Sequence, residues 1–177
     1  HDIISTLKGP DFPGGGYLIY NENELMKVYS TGRGSLKVRA KYNYDKSANC
    51  IEITEIPYST TVEAIMDKII ELIKLNKIRE ISYIRDETDL SGLKLAIDLK
   101  RGTDPDKLMQ KLFKLTPLQD NYSCNFNILI AGNPKVMGVR EILTEWTAFR
   151  KECIKRRVYF DLNKKKEKLH LLEGLKK

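Results

Sequence analysis

From Ser35 to Tyr44 hydrophobic and polar residues alternate. Leu36, Val38, Ala40, Tyr42 and Tyr44 fall on one side and Lys37, Arg39 and Lys41 on the other, which predicts one half-buried strand. Cys50 to Ile56 alternates again through Ile51 and Ile53, and the polar run Asp45 to Asn49 supplies a turn between the two, so they form an antiparallel hairpin. The period then changes to that of a helix. Val62, Ile65, Met66, Ile69, Ile70, Leu72 and Ile73 keep this spacing to about Leu75, with Thr60 or Thr61 as cap and Glu63 in the first turn. The apolar face is broad and belongs on a sheet.

Ile81 to Arg85 predicts a short strand, Glu87 to Gly92 a turn, and Leu93, Leu95, Ile97 and Leu99 an alternating partner strand. Asp104 and Pro105 open a second helix, in which Leu108, Met109, Leu112 and Phe113 share a face. Tyr122, Cys124, Phe126, Ile128 and Ile130 predict a long last strand that turns at Asn133-Pro134. From Cys50 the order is strand, helix, strand, strand, helix, strand, with the basic strand added in front. The expected fold is therefore α+β: a mainly antiparallel sheet in a split βαβ, ferredoxin-like arrangement, with two helices on one face.

Two segments flank this body. Residues 1–30 form a lead-in segment: the run Leu7 to Gly16 holds two prolines and four glycines around Phe12 and can be neither helix nor central strand, and Glu24 to Ser30 has room for one or two helical turns. Residues 139–177 read as one helix through Val139, Ile142, Leu143, Trp146, Phe149, Cys153, Ile154, Phe160, Leu169, Leu172 and Leu175, with Gly174 as the lone glycine and no proline. Up to 39 residues at 1.5 Å each give roughly 58 Å, more than the body at 31–138 can cover. Such a helix is expected to run into another domain or to lie against a partner.

Charge changes the picture once it is located. The chain carries a net +7, of which residues 139–177 hold +6 from twelve Lys and Arg against six Asp and Glu, leaving +1 on residues 1–138. A nearly neutral body joined to a basic helix suggests a polyanionic neighbour. No apolar run approaches the roughly 20 residues of a membrane helix, and no secretory signal is visible. Cys50, Cys124 and Cys153 are odd in number and far apart, and His1 and His170 are the only histidines, which argues against a disulfide framework or a metal site and for a reducing cytoplasm. The start on His1 and the stop inside a helical pattern read as those of a piece of a longer protein.

Side chains two apart on a strand lie about 6.6–6.8 Å apart on one face. Lys37, Arg39 and Lys41 thus form a row of cations at about the spacing of successive phosphates, which Arg33 in the preceding glycine-flanked turn extends. The competing reading is an edge strand that carries lysine against aggregation. Asp86, Glu87 and Asp89 could hold Mg²⁺, but in a strand-to-strand turn Asp and Thr are expected for local hydrogen bonds. Glu52 and Glu55 have no nucleophile beside them, and Gly14 to Gly16 lack the Lys-Ser or Lys-Thr ending of a phosphate loop. Tyr58, Tyr122, Trp146 and Phe149 read as packing or interface residues before they read as nucleophile or base-stacking groups.

Several motifs together carry a resemblance. They are Gly9-Pro10-Asp11-Phe12-Pro13 with its glycines, Tyr29-Ser30-Thr31-Gly32-Arg33-Gly34, Glu55-Ile56-Pro57-Tyr58, Ile84-Arg85-Asp86-Glu87-Thr88-Asp89, Leu118-Gln119 and Arg156-Arg157. In order and spacing, over essentially the whole chain, the sequence resembles the A subunits of bacterial type IIA DNA topoisomerases, those of DNA gyrase and topoisomerase IV. Gly14 departs from the family's usual threonine, and residues 116–127 diverge. The resemblance implies that 31–138 is the tower, or shoulder, domain and that 139–177 starts the long helices toward the dimerisation gate. It further implies a parent enzyme that breaks and rejoins double-stranded DNA as an A-subunit homodimer with a B subunit, through which ATP and Mg²⁺ act. The family's catalytic tyrosine follows an arginine, and no Arg-Tyr dipeptide occurs here. No catalytic residue, cofactor or metal is therefore assigned to this stretch, and alone it is expected not to cleave DNA. The DNA contacts are assigned to Arg33, Lys37, Arg39 and Lys41. Two other classes stay open: a ferredoxin-like RNA-binding module, which needs aromatics on the open sheet face, and a protein-interaction module built on the long helix.

Overall fold

Apolar positions of both periods are sorted onto two sheets, as the computed structural model of residues 2–176 shows; His1 and Lys177 lie outside the described residues. The larger sheet contains β3 (Lys41–Asp45), β4 (Cys50–Glu55), β5 (Ile81–Asp86) and β6 (Leu95–Leu99) in the order β3-β4-β6-β5, antiparallel throughout. Ile51, Ile53, Leu95, Ile97 and Leu99 turn one face of it toward two helices. These are α3 (Val62–Lys74), whose cap Thr61 accepts from the Ala64 N–H, and α4 (Pro105–Leu115), whose cap Asp104 accepts from Asp106 and Lys107. Ile65, Ile69 and Leu72 of α3 and Leu108, Met109 and Leu112 of α4 complete this core. Each such side chain contributes about 1.5–3 kcal/mol by leaving water. The opposite face of the sheet is polar: Arg85 pairs with Glu87 and Asp98, and Lys94 bridges Glu52 and Glu87.

The smaller sheet has β2 (Arg33–Arg39) between β1 (Tyr17–Ile19) and β7 (Gln119–Asn125). Its inner face meets α1 (Asp2–Thr6) and α2 (Glu22–Thr31), and Ile4, Leu25, Val28, Tyr29, Leu36 and Cys124 form a second core. Helix α2 starts at Glu22 because the Asn21 side chain accepts from the Asn23 and Glu24 N–H groups.

The α+β class, the antiparallel pairing, the two helices on one face and the long terminal helix are as the sequence predicts. Three details differ. The strand expected over 35–44 breaks at Ala40, where the pairing partner changes from Gln119, opposite Arg39, to Glu55, opposite Lys41; Ala40 donates its N–H to the Leu118 carbonyl. The element order from Cys50 is present as β4-α3-β5-β6-α4-β7, but β3 occupies the place beside β4, and β7 lies against β2. The strand expected through Ile130 ends at Asn125, since Phe126 donates to the Gly32 carbonyl and accepts from the Met137 N–H. Beyond it β8 (Asn127–Ile130) folds back on β9 (Asn133–Val136), and the turn falls at Ala131-Gly132, both at positive φ, rather than at Asn133-Pro134.

Helix α5 (Val139–Leu175) runs 37 residues, about 56 Å, and none of its side chains is buried. It is fixed to the body at its start. Gly32 ends α2 in the left-handed region, φ 74°, and donates to the Val28 carbonyl. A Cβ on Gly32 would run into the Met137 carbonyl, and one on Gly138 into the carbonyls of Tyr29 and Ser30. Gly32→Ala is expected to destabilise the protein by at least about 2 kcal/mol in urea denaturation, since neither backbone nor neighbour can yield. Gly174→Ala, which meets nothing within 4 Å, is the control and should be neutral or slightly stabilising.

Candidate nucleic-acid interface

Directly opposed residues in an antiparallel pair share a face. Strand β2 opposes β7 through Arg33 and Asn125, Ser35 and Ser123, Lys37 and Asn121, and Arg39 and Gln119, with Leu36, Val38, Asp120, Tyr122 and Cys124 turned the other way. The outer face therefore carries two parallel polar rows about 4.8 Å apart. Tyr17 and Ile19 of β1 extend it beyond Arg39 and Lys37. It holds cations, amides, hydroxyls and the aliphatic Ile19, and no acidic residue from any of the three strands.

The four expected cations do not occupy equal positions. Arg33 and Lys37 are exposed, and their side chains make no hydrogen bond or ion pair among the described residues. Arg39 is half-buried: its Nε donates to Gln119 Oε1 at 2.8 Å, and its guanidinium lies 4.6 Å from the centre of the Phe113 ring. Lys41 lies past the break at Ala40, in the other sheet, and its Nζ is 3.2 Å from Glu55 Oε1. Because β2 is a central strand, edge protection does not account for its cations.

Glu55 links this junction to the proline-glycine loop. Its second carboxylate oxygen accepts from the Gly16 N–H at 2.6 Å. That backbone hydrogen bond, and then Lys41, hold the Glu55 carboxyl below the usual range for glutamate. Phe12 from the same loop meets Tyr122 edge to face at 4.8 Å, with Tyr58 6.2 Å from Tyr122 on another side. The loop is thus pinned to β7 from below while the outer face stays open.

The candidate acidic and tyrosine residues have structural partners. Asp86 accepts from Thr88 N–H and Asp89 from Ser91, as local turn bonding requires. Among the described residues no cluster of His, Cys, Asp and Glu is arranged to hold a metal ion, and His1 lies outside them. Tyr42 and Tyr44 pack on the helix-covered core, so they offer no stacking platform. Trp146 and Phe149 are exposed and line a groove of about 630 Å³ between α5 and the β8–β9 hairpin. No described helix is long and apolar enough to cross a membrane. Sequence reasoning misses the polar row of β7 as part of the site. Its outward positions follow from the alternation of Tyr122 and Cys124, but its place beside β2 does not.

The sequence profile of the family described as the A subunit of DNA gyrase/topoisomerase IV matches residues 1–177. The DNA gyrase A subunit of Borreliella burgdorferi is 42% identical over 177 residues, covering 98% of this chain and 22% of the relative. That of Borrelia hermsii is 41% identical over 178 residues, covering 99% and 22%. The chloroplastic/mitochondrial DNA gyrase A subunit of Arabidopsis thaliana is 36% identical over 179 residues, covering 98% and 19%. The chain thus spans about a fifth of the length of these relatives.

Because the Glu55 pKa is depressed on folding, its contribution is present above the unfolded value of about 4.3 and is lost as pH falls through the folded one. Glu55→Gln is expected to cost about 1 kcal/mol at pH 7, a charge-assisted bond discounted for solvent exposure. In chemical denaturation followed across pH, the gap from wild type should narrow as pH falls below the unfolded value and close once it has passed the lower folded one.

Proposed function

The chain belongs to the family of DNA gyrase/topoisomerase IV A subunits, and from that premise we propose that it is the tower of the breakage and rejoining subunit of an ATP-dependent type IIA DNA topoisomerase. The tower supports the duplex at the DNA gate without taking part in the chemistry. The observation that carries this reading is the outer face of β1-β2-β7, which is cationic, free of carboxylates and exposed from Arg33 to Lys37. Such a face attracts a phosphate backbone and reads no base sequence.

The four cations divide the work in this reading. Arg33 and Lys37 reach the phosphates, while Arg39 and Lys41 hold the end of the row where the two sheets meet. The tower is residues 31–138 together with the lead-in 1–30, whose Leu25, Val28 and Tyr29 are packed beneath the DNA-facing strands. Residues 139–177 begin the helix that carries gate movement. Its Trp146, Phe149 and Phe160 are exposed and available to pack against other parts of such an assembly. In the whole enzyme the partners are double-stranded DNA, a second copy of the same subunit and the B subunit, through which ATP and Mg²⁺ act, in the bacterial cytoplasm. The catalytic tyrosine lies in another part of the parent polypeptide.

Binding of a 30-base-pair duplex by this chain across a salt series tests the reading. Two engaged cations should give an affinity that falls about tenfold between 50 and 200 mM salt, against roughly 150-fold if all four displaced counterions. Reversing Arg33 and Lys37 to Glu should abolish binding with the fold intact, whereas Arg39→Glu and Lys41→Glu should mainly lower stability. Unchanged affinity and salt slope after reversal of all four would remove the face from the DNA path.

A further inference from the structure

Every cation on the outer face of β2 stands opposite an amide of β7. Arg33 faces Asn125, Lys37 faces Asn121 and Arg39 faces Gln119, with Ser35 and Ser123 paired in the middle. The third pair is already closed: Gln119 uses its carbonyl oxygen on the Arg39 guanidinium, so its NH₂ group remains to donate. The first two are open. The side chains of Asn121, Ser123 and Asn125 are exposed and make no hydrogen bond among the described residues.

Strand stability does not explain this choice. Asn is depleted in strands, while Val, Ile and Thr are favoured, yet β7 reads Gln119-Asp120-Asn121-Tyr122-Ser123-Cys124-Asn125. An exposed strand beside cations would gain most from Asp or Glu, which pair with them across the strands. A carboxylate there would also cancel the positive field and repel a phosphate. An amide does neither: its oxygen is able to accept from the cation, as that of Gln119 does from Arg39, while its NH₂ donates to the same anion.

We propose that Asn121, Ser123 and Asn125 form a second, neutral row that hydrogen-bonds the phosphate backbone held by Arg33 and Lys37. Arg33 and Lys37 are four residues apart on the strand, about 14 Å, too far to serve one phosphate. Ser35 and Ser123 lie midway and supply donors for the phosphate between them. The row rests on the reading of this face as a DNA support and specifies how it holds the backbone: two charged contacts at the ends and neutral donors alongside and between. Neutral donors position a backbone without displacing counterions.

The test compares two variants of this chain on the same 30-base-pair duplex across a salt series. Asn121→Val, Ser123→Val and Asn125→Val together remove the donors and raise strand propensity, so the fold should survive, as circular dichroism and the melting temperature will verify. About tenfold weaker binding with an unchanged salt slope is the expected result. Arg33→Gln with Lys37→Gln should instead lower the slope by about 1.8. Wild-type affinity in the valine variant would overturn the neutral row and leave the DNA-support reading standing, provided that the glutamine variant loses slope. If neither variant differs from wild type, or the unmodified chain shows no salt-dependent binding, both fall.

Discussion

The pairing of β2 with β7 is the constraint on which the rest of the structure depends. Seven consecutive residues of each strand are in register, from Arg33 opposite Asn125 to Arg39 opposite Gln119. Between the two strands the chain completes the whole helix-covered sheet and its core. Closing so long a loop has an entropic cost, but one that rises only with the logarithm of length. Against it stand the inner-face residues Leu36, Val38 and Cys124, all buried. One pairing thus joins the first part of the chain to the last strand, closes the second core and makes the polar outer face.

The junction between the sheets explains why two of the cations on this stretch are engaged by neighbours. At Ala40 the chain passes from β7 to β4 as its partner, and the residues on either side bond to both sides of the junction. Arg39 reaches Gln119 on β7 and the Phe113 ring on α4, so one guanidinium ties the smaller sheet to a helix of the larger core. Lys41 holds Glu55, which holds Gly16, and the proline-glycine loop is fixed in turn. A guanidinium can bond and stack at once because it is planar and always charged. Lysine at position 39 would have kept the charge and lost the stacking.

How far the sequence is legible depends on the range of the interaction. The starts of helices α3 and α4 are readable to within a residue because Thr60 or Thr61 and Asp104-Pro105 mark them, and the apolar spacing marks their faces. The β3–β4 hairpin is readable from its polar turn. What is not readable is any pairing set by distant residues. Alternation in 119–125 says which side chains face out, yet nothing local says that β2 lies beside them. The breaks at Ala40 and Phe126 share this cause: each falls where a backbone group bonds to a remote carbonyl, of Leu118 or Gly32. Both sit inside unbroken alternation, so period alone predicts a longer strand. The candidate site inherits the same limit. Arg33 and Lys37 stand out as a charged row, whereas the uncharged partners on β7 are visible only once the register is known.

Electrostatic range separates the face from the rest of the molecule's charge. Most of the excess positive charge lies on α5, where the run Lys164 to Lys168 is about 38 Å along the helix from Val139. The Debye length at physiological salt is about 8 Å, so that run acts on whatever lies along the helix and scarcely on the β2–β7 face. In the proposed reading the face therefore binds with its own few charges. Two free cations cannot grip a polyanion strongly, and a support of the kind proposed, which holds and then releases a duplex, gains nothing from a strong grip. What it requires is a defined position for the backbone, and position is supplied by directional hydrogen bonds on a rigid strand pair rather than by added charge. A nearly neutral body with a carboxylate-free outer face fits that proposed requirement.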